Sequence, residues 1–213
     1  MGAHFIVVEG AIGVGKTSVV ERLAERMEAR TVLEEWGQNP FLTPFYEGKP
    51  GAAFQIELFY LLSRYRQQQE LTQRTLFERY TLSDYLFEKS KLFAYLNLDD
   101  SELLIYERLY AMLMDAVPRP DLVVYLQAPT EVLLRRIRTR GRPEEARLSE
   151  EYLAEVNRAY NHYFFHYTAT PLLVVNTTDV DFAKRAEDVD DLLKQIRGMG
   201  KGTRYYVPLG SKR

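Results

Sequence analysis

Apolar positions along the chain alternate between two rhythms. His4-Phe5-Ile6-Val7-Val8-Glu9 is a short, β-branched apolar run of the kind found in a parallel strand covered on both faces. Residues 17–28 then place Val19, Val20, Leu23, Ala24 and Met27 on one helical face. A second strand is predicted at 31–34, loops at Asn39-Pro40 and 46–51, a long helix at 53–71 and a short third strand at 75–78. Two helices are predicted between 81 and 117, broken at Asn97-Leu98-Asp99-Asp100, with Asp99 or Asp100 as cap. Strands at 121–127 and 171–176 and helices at 131–140, 149–167 and 183–197 complete the pattern. Strands alternating with helices predict an α/β fold with three α/β/α layers and a five-stranded parallel sheet. The single domain spans 1–197, and 198–213 reads as a tail of uncertain order.

One helix is more apolar than a single core contact requires. Leu103, Leu104, Ile105, Leu109, Tyr110, Met112, Leu113 and Val117 form an arc wide enough for either a partner subunit or extra core packing.

Composition narrows the function classes. The 213 residues carry a formal net charge of −2, which gives no sign of a nucleic-acid-polymer or membrane-surface binder. There is no cysteine, which removes disulfides, thiolate metal sites and cysteine nucleophiles. No apolar run has the length of a membrane span, so a cytoplasmic protein is expected. His162 and His166 are spaced i, i+4, but no third ligand stands out for a metal.

The sharpest signal is Gly10-Ala11-Ile12-Gly13-Val14-Gly15-Lys16-Thr17, a complete G-x-x-x-x-G-K-[ST] between a strand and a helix. Glycines let successive backbone N–H groups turn toward phosphate oxygens, and the helix N-terminus adds its positive end. The candidate nucleotide contacts are Gly10, Ala11, Gly13, Val14, Gly15, Lys16, Thr17 and Ser18, with Thr17 also a Mg²⁺ ligand. This predicts a P-loop NTPase-like fold that binds ATP and Mg²⁺. An N-K-x-D guanine signature is absent and the 122–127 strand ends without an acid, so a small-molecule kinase is favoured over a GTPase or a motor.

Further motifs resemble the deoxynucleoside kinase family over nearly the whole chain. Leu33-Glu34-Glu35-Trp36-Gly37-Gln38-Asn39-Pro40 resembles the family segment that carries the catalytic carboxylate. Glu35 stands where the family has proline, and spacing to Asn39-Pro40 favours Glu34 over Glu35 as the base near the 5′-hydroxyl. Tyr46, Glu57 and Arg64 keep the family spacing of a sugar-holding tyrosine, a base reader and an arginine. The family's usual residue at position 57 is glutamine. An ionised glutamate offers only acceptors, which match the adjacent N1–H and N2–H₂ donors of guanine, with Arg64 donating to O6 or N7. Pairing of Glu57 with Arg64 or Arg66, or base reading by Gln55, are the competing readings.

Phe77-Glu78-Arg79-Tyr80-Thr81-Leu82-Ser83-Asp84 resembles the family's F-[DE]-R-x-x-x-x-D. It implies that Glu78 holds Mg²⁺, Arg79 orients Glu34, and Asp84 faces the base opposite Glu57, with Phe54 and Phe87 as stacking candidates. Arg135, Arg136, Arg138, Arg140 and Arg142 form a cluster that calls for an anion, and it resembles the family's lid at about 138–148. Arg136, Arg140 and Arg142 match its arginines, and Glu145 matches the acid that meets the sugar 3′-hydroxyl with Tyr46. Asp181 and Phe182 lie where the family's adenine-contacting loop does.

The resemblance implies an ATP-dependent kinase that phosphorylates the 5′-hydroxyl of a deoxynucleoside for salvage, with deoxyguanosine favoured, and that pairs as a homodimer. The catalytic set would be Glu34, Arg79, Lys16, Arg140 and Arg142. A thymidylate-kinase-like enzyme is the nearest rival, but Glu34 and Glu145 would repel a substrate phosphate. A non-catalytic NTP-binding module is the rival of another class, and it would have no use for the lid and Glu34 together.

Overall fold

The computed structural model describes residues 4–35, 37, 39–72 and 79–208. Six parallel strands form one sheet in the order β2-β3-β1-β4-β5-β6. The central strands β1 (Phe5–Glu9), β4 (Leu122–Gln127) and β5 (Leu172–Asn176) are almost wholly buried. This matches runs of Val, Ile and Leu that have helices on either side of them. The outer strands β2 (Arg30–Val32) and β3 (Thr81–Ser83) are three residues each.

The helices fall into two packing groups around the sheet. Helix α1 (Lys16–Met27) packs against α8 (Ala186–Arg197). The other group joins α2 (Leu42–Tyr46), α3 (Ala52–Thr72), α4 (Lys89–Asn97), α5 (Asp100–Met114) and α7 (Glu150–Phe165), with α6 (Thr130–Arg140) against α7. Local chemistry sets the helix ends. Asp99 caps α5, accepting from the Ser101 and Glu102 N–H groups while the Glu102 side chain bonds back. The Ser149 hydroxyl accepts from Tyr152 N at the start of α7. Gly141, at φ +65°, closes α6 by an Ile137 carbonyl bond and turns the chain into the arginine segment.

The structure differs from the sequence expectations at several elements. The third strand of the sheet is Thr81–Ser83, and α4 therefore starts at Lys89 instead of near 81. The expected strand at 75–78 lies outside the described residues. The 46–51 loop is preceded by the short helix α2. A sixth strand, β6 (Thr203–Tyr206), pairs in parallel with β5 where only a tail was expected. Its side chains are mostly exposed, so hydrophobic patterning gives no signal for it. Backbone pairing and a Tyr206 hydroxyl bond to Asp191 on α8 hold it.

The wide apolar arc of α5 divides between two surroundings. Tyr106 and Tyr110 are buried with Leu61, Phe87 and Ala94 in a second, smaller core. Leu104, Ile105 and Met112 remain exposed.

Two loop glycines show how tightly β1, β4 and α1 meet. A Cβ on Gly10 would lie 2.5 Å from the Leu126 carbonyl oxygen, a backbone atom that cannot swing aside, and Gly10 already sits at φ +153°. Gly15, at φ +102°, has nothing within 4 Å of such a Cβ. Gly10→Ala is expected to destabilise the fold by roughly 2–4 kcal/mol, and Gly15→Ala by only about 1–2 kcal/mol. Urea unfolding midpoints of the two variants against wild type check the ranking.

Candidate active site

The phosphate loop occupies the turn from β1 into α1. Glu9 anchors its start: Oε1 accepts from Gly10 N at 2.9 Å and from the Tyr160 hydroxyl at 3.2 Å, and Oε2 accepts from Leu86 N at 2.8 Å. Val14 N closes a turn onto Ala11 O at 3.2 Å, and Ser18 lies in the first turn of α1. Lys16 Nζ donates to Gly10 O at 2.7 Å and Ala11 O at 3.3 Å, within the cradle. Burial, helped by nearby Lys89, pulls the Lys16 ammonium down to about 8, against the opposing pull of Glu9, Glu34 and Asp84. A lysine desolvated in this way is poised to gain an anion. The loop fits a polyphosphate: Gly15 leaves open space at the helix N-terminus, and the donors converge there. Thr17 Oγ1 lies 2.6 Å from Asp84 Oδ2, a pair of hard oxygen ligands that suits the Mg²⁺ accompanying such a phosphate.

Beside the cradle lies a pocket that contains Glu34, Tyr46, Glu57, Arg64, Asp84 and Glu145 among its walls, together with Lys16, Thr17, Arg140 and Arg142. Its centre is a buried ionic triad. Glu34 Oε1 accepts from Arg64 Nε at 2.8 Å and Nη2 at 2.5 Å, and Oε2 accepts from Lys89 Nζ at 2.7 Å. Burial alone pushes the Glu34 carboxyl up, but the two cations override it and hold it well below the usual carboxylate range. The Asp84 carboxylate joins this triad to the phosphate loop, because its other oxygen accepts from Glu34 N at 2.7 Å. Glu34 lines the pocket and Glu35 is not among its lining residues.

One wall of the pocket holds Glu57, 3% exposed. Its Oε1 accepts from Asn97 Nδ2 at 2.7 Å, while Oε2 is buried without a partner. Burial pushes this carboxyl up to about 7, with Asn97 and Arg64 opposing the rise. Gln55 is exposed, and Arg66 is exposed as well. Elsewhere on the pocket wall, burial and the Glu145 charge raise the Tyr46 hydroxyl above the usual tyrosine range. Glu145 bonds Arg140 and lies 3.9 Å from Arg142, and Arg147 reaches across to Glu47 at 2.6 Å, next to Tyr46. The Glu145 contacts brace the arginine segment internally, and Arg147–Glu47 ties it to the end of α2, so that Arg140, Arg142 and Glu145 line the pocket.

A family model described as deoxynucleoside kinase matches residues 6–199. The chain belongs to the deoxynucleoside kinase family. The kinase is similar to the deoxyguanosine kinase of Bacillus subtilis (strain 168), 33% identical over 200 residues that cover 92% of this chain and 97% of the relative. It is also similar to the deoxyadenosine/deoxycytidine kinase of the same organism, 28% identical over 201 residues covering 90% of each. A solved structure of deoxyadenosine kinase from M. mycoides, with dCMP and a flexible dCDP bound, shares the fold at a TM-score of 0.76 and 21% identity, covering 90% of this chain and 97% of that one.

Several sequence assignments move once the kinase is folded. Asp84 directly follows β3 and lies beside Thr17 and the phosphate loop, on the same pocket as Glu57. Arg79 precedes β3, at the opposite edge of the sheet: its carbonyl meets His4 Nδ1 at 3.0 Å and its guanidinium lies over Tyr80. Five residue steps of near-extended chain carry Arg79 about 16 Å from Asp84, so Arg79 cannot orient Glu34. Glu78 lies outside the described residues. Arg64 directs its donors at Glu34 and at Ser90 Oγ (2.8 Å), which makes it the holder of Glu34 in place of a base reader. Phe54 and Phe87 pack in the second core, Phe87 stacked on Tyr110 at 5.4 Å, and neither lines the pocket. Arg136 bonds the carbonyls of Thr177 (2.6 Å), Val180 (2.9 Å) and Val14 (3.3 Å), tying the loop after β5 to the phosphate loop. Phe182 is 5% exposed in the main core, so its side chain is not presented to a nucleotide, while Asp181 is exposed and pairs with Lys184.

Sequence reasoning missed Lys89, Asn97 and the aromatic walls Phe45, Tyr60, Phe93 and Tyr152. Lys89 left a readable trace: a lysine whose helix neighbours Ser90 and Ala94 are buried needs a counter-charge.

Removing the Glu34 charge would leave Arg64 and Lys89 buried against each other. Glu34→Gln is expected to lower stability by roughly 3 kcal/mol at pH 7. Because the folded-state pKa is depressed, that contribution is present above the ordinary carboxylate pKa of about 4.3 and is lost as pH falls below it. Urea titrations of both proteins at pH 7 and near pH 3.5 should show the gap narrow by about 1 kcal/mol, the rest being lost only at still lower pH.

Proposed function

We propose that this kinase moves the γ-phosphate of ATP onto the 5′-hydroxyl of a purine deoxynucleoside, with deoxyguanosine preferred. The observation that carries the base assignment is Glu57, a buried carboxylate on the pocket wall; Arg64 is engaged by Glu34 and Arg66 is exposed. The two acceptor oxygens of Glu57 complement the two adjacent donors on guanine. The similarity to a deoxyguanosine kinase supports the same reading, although a deoxyadenosine/deoxycytidine kinase stands close behind it.

The residues divide the work by charge. Lys16, Arg140 and Arg142 line the phosphate side and offset the charge on the transferring group. Thr17 and Asp84 are the residues that would hold Mg²⁺, which when bound neutralises phosphate oxygens. Glu34 is ionised at every working pH, so it always accepts a hydrogen bond from the 5′-hydroxyl. Its low basicity means that it aligns the hydroxyl first and takes the proton only as the new P–O bond makes that proton acidic. Tyr46 and Glu145 hold the sugar 3′-hydroxyl, and the seated arginine segment keeps water from the γ-phosphate. The exposed Leu104, Ile105 and Met112 support pairing of two copies through α5.

ATP-dependent phosphorylation of deoxyguanosine, deoxyadenosine, deoxycytidine, thymidine and dTMP at pH 8 tests this reading. Wild type should favour deoxyguanosine. Glu57→Gln should lose at least about tenfold in kcat/KM for deoxyguanosine, some 1.4 kcal/mol of discrimination, and gain on deoxyadenosine. Preference for a pyrimidine, or for dTMP, would overturn it.

A further inference from the structure

Glu57 is not a symmetric acceptor. Asn97 Nδ2 donates to Oε1 at 2.7 Å, and the same amide engages the Tyr152 hydroxyl of α7. Oε2 is buried with no partner of its own, on a side chain that lines the pocket. A glutamate carboxyl has two forms with different recognition chemistry: ionised, it has two acceptors, and neutral, it has one acceptor and one donor. In the neutral form the proton has one place to go. A hydroxyl at Oε1 would weaken the acceptor that Asn97 needs, whereas Oε2 has no hydrogen-bond partner among the described residues.

The two forms match different purines. Guanine offers N1–H and N2–H₂, two donors for the ionised carboxylate. Adenine offers the N6–H₂ donor beside the N1 acceptor, which pair with the Oε1 carbonyl and an Oε2–H donor. We propose that Glu57 reads purines in two protonation states, ionised for guanine and neutral for adenine, and that Asn97 is the positioning residue that fixes which oxygen carries the proton. The proposal rests on Glu57 being the base reader.

The surroundings allow that change of state near neutrality. Facing Glu57 are Tyr60 and Arg64 from α3, Glu34 from the segment after β2, Lys89 and Asn97 from α4, Tyr106 from α5, Tyr152 from α7, and Tyr46 from α2. Burial raises all four tyrosines above their usual range, so they stay neutral, while Glu34 stays ionised against Arg64. Burial pushes Glu57 itself up to about 7. Lys16, at about 8, serves the phosphate side for either nucleoside and cancels from a ratio of the two.

The test is kcat/KM for deoxyguanosine and deoxyadenosine from pH 5.5 to 8.5 in wild type, Glu57→Gln and Asn97→Ala, with a ¹³C NMR titration of the Glu57 carboxyl alongside. The wild-type ratio of deoxyguanosine to deoxyadenosine should climb by about tenfold per pH unit, since kcat/KM follows the free enzyme's ionisation. In Glu57→Gln the ratio should be flat and favour deoxyadenosine. In Asn97→Ala both the crossover and the NMR midpoint should move to higher pH, because Asn97 stabilises the ionised form. A wild-type preference for deoxyguanosine that does not change with pH, yet is lost in Glu57→Gln, would overturn the two-state reading and leave base reading intact. Equal ratios in wild type and Glu57→Gln would remove Glu57 as the base reader altogether. An unmoved midpoint in Asn97→Ala would strip Asn97 of its role.

Discussion

The site depends on one buried carboxylate held between two cations. Glu34 lies in a pocket wall where an isolated charge would be severely penalised, and Arg64 and Lys89 make its ionised form the stable one. The three residues come from the segment after β2, from α3 and from α4, so the triad also ties three separately folded elements to one point. A catalytic group placed this way is pre-oriented. Its rotamer is set by hydrogen bonds to partners that are themselves buried.

The sheet explains why these elements meet beside the phosphate loop. β1 lies between β3 and β4, so the chain leaves it toward one side of the sheet for β2 and β3 and returns to the other side for β4. Connections that diverge in this way open a crevice at the carboxyl ends of the strands, and the Gly10–Thr17 loop lies in it. Buried polar bonds then lock the crevice walls: Glu9 joins β1 to the turn after β3, Asp84 joins α1 to Glu34, and Arg136 joins α6 to the loop after β5. Each uses a charged side chain to satisfy backbone or hydroxyl groups that would otherwise be buried unpaired.

Carboxylates in one pocket can differ widely in character. Glu34, beside two cations, is kept ionised, while Glu57, with a neutral amide as its direct partner, is driven toward protonation. Environment, not residue type, keeps one ionised and brings the other near neutrality, which suits the separate roles proposed for them.

The phosphate loop was legible in the sequence because its chemistry is local: a strand, a glycine-bearing turn and a helix start are contiguous. The same holds for the buried strands, for the Asp99 cap and for the pairing of Tyr46 with Glu145 at a common pocket, where family spacing carried the information. Position along the third strand was not legible. Thr81–Ser83 is too short for a periodic signal, so motif likeness placed the strand end five residues early and set Arg79 where Lys89 belongs. β6 was invisible for a related reason, since an edge strand with mostly exposed side chains is held chiefly by backbone pairing, which leaves no hydrophobic pattern. The sequence by itself determined which groups carry charge and which stretches must be buried. Only the tertiary structure decided which cation meets which carboxylate, because partners as far apart as Glu34 and Lys89 are brought together by packing, and no spacing along the chain records that contact.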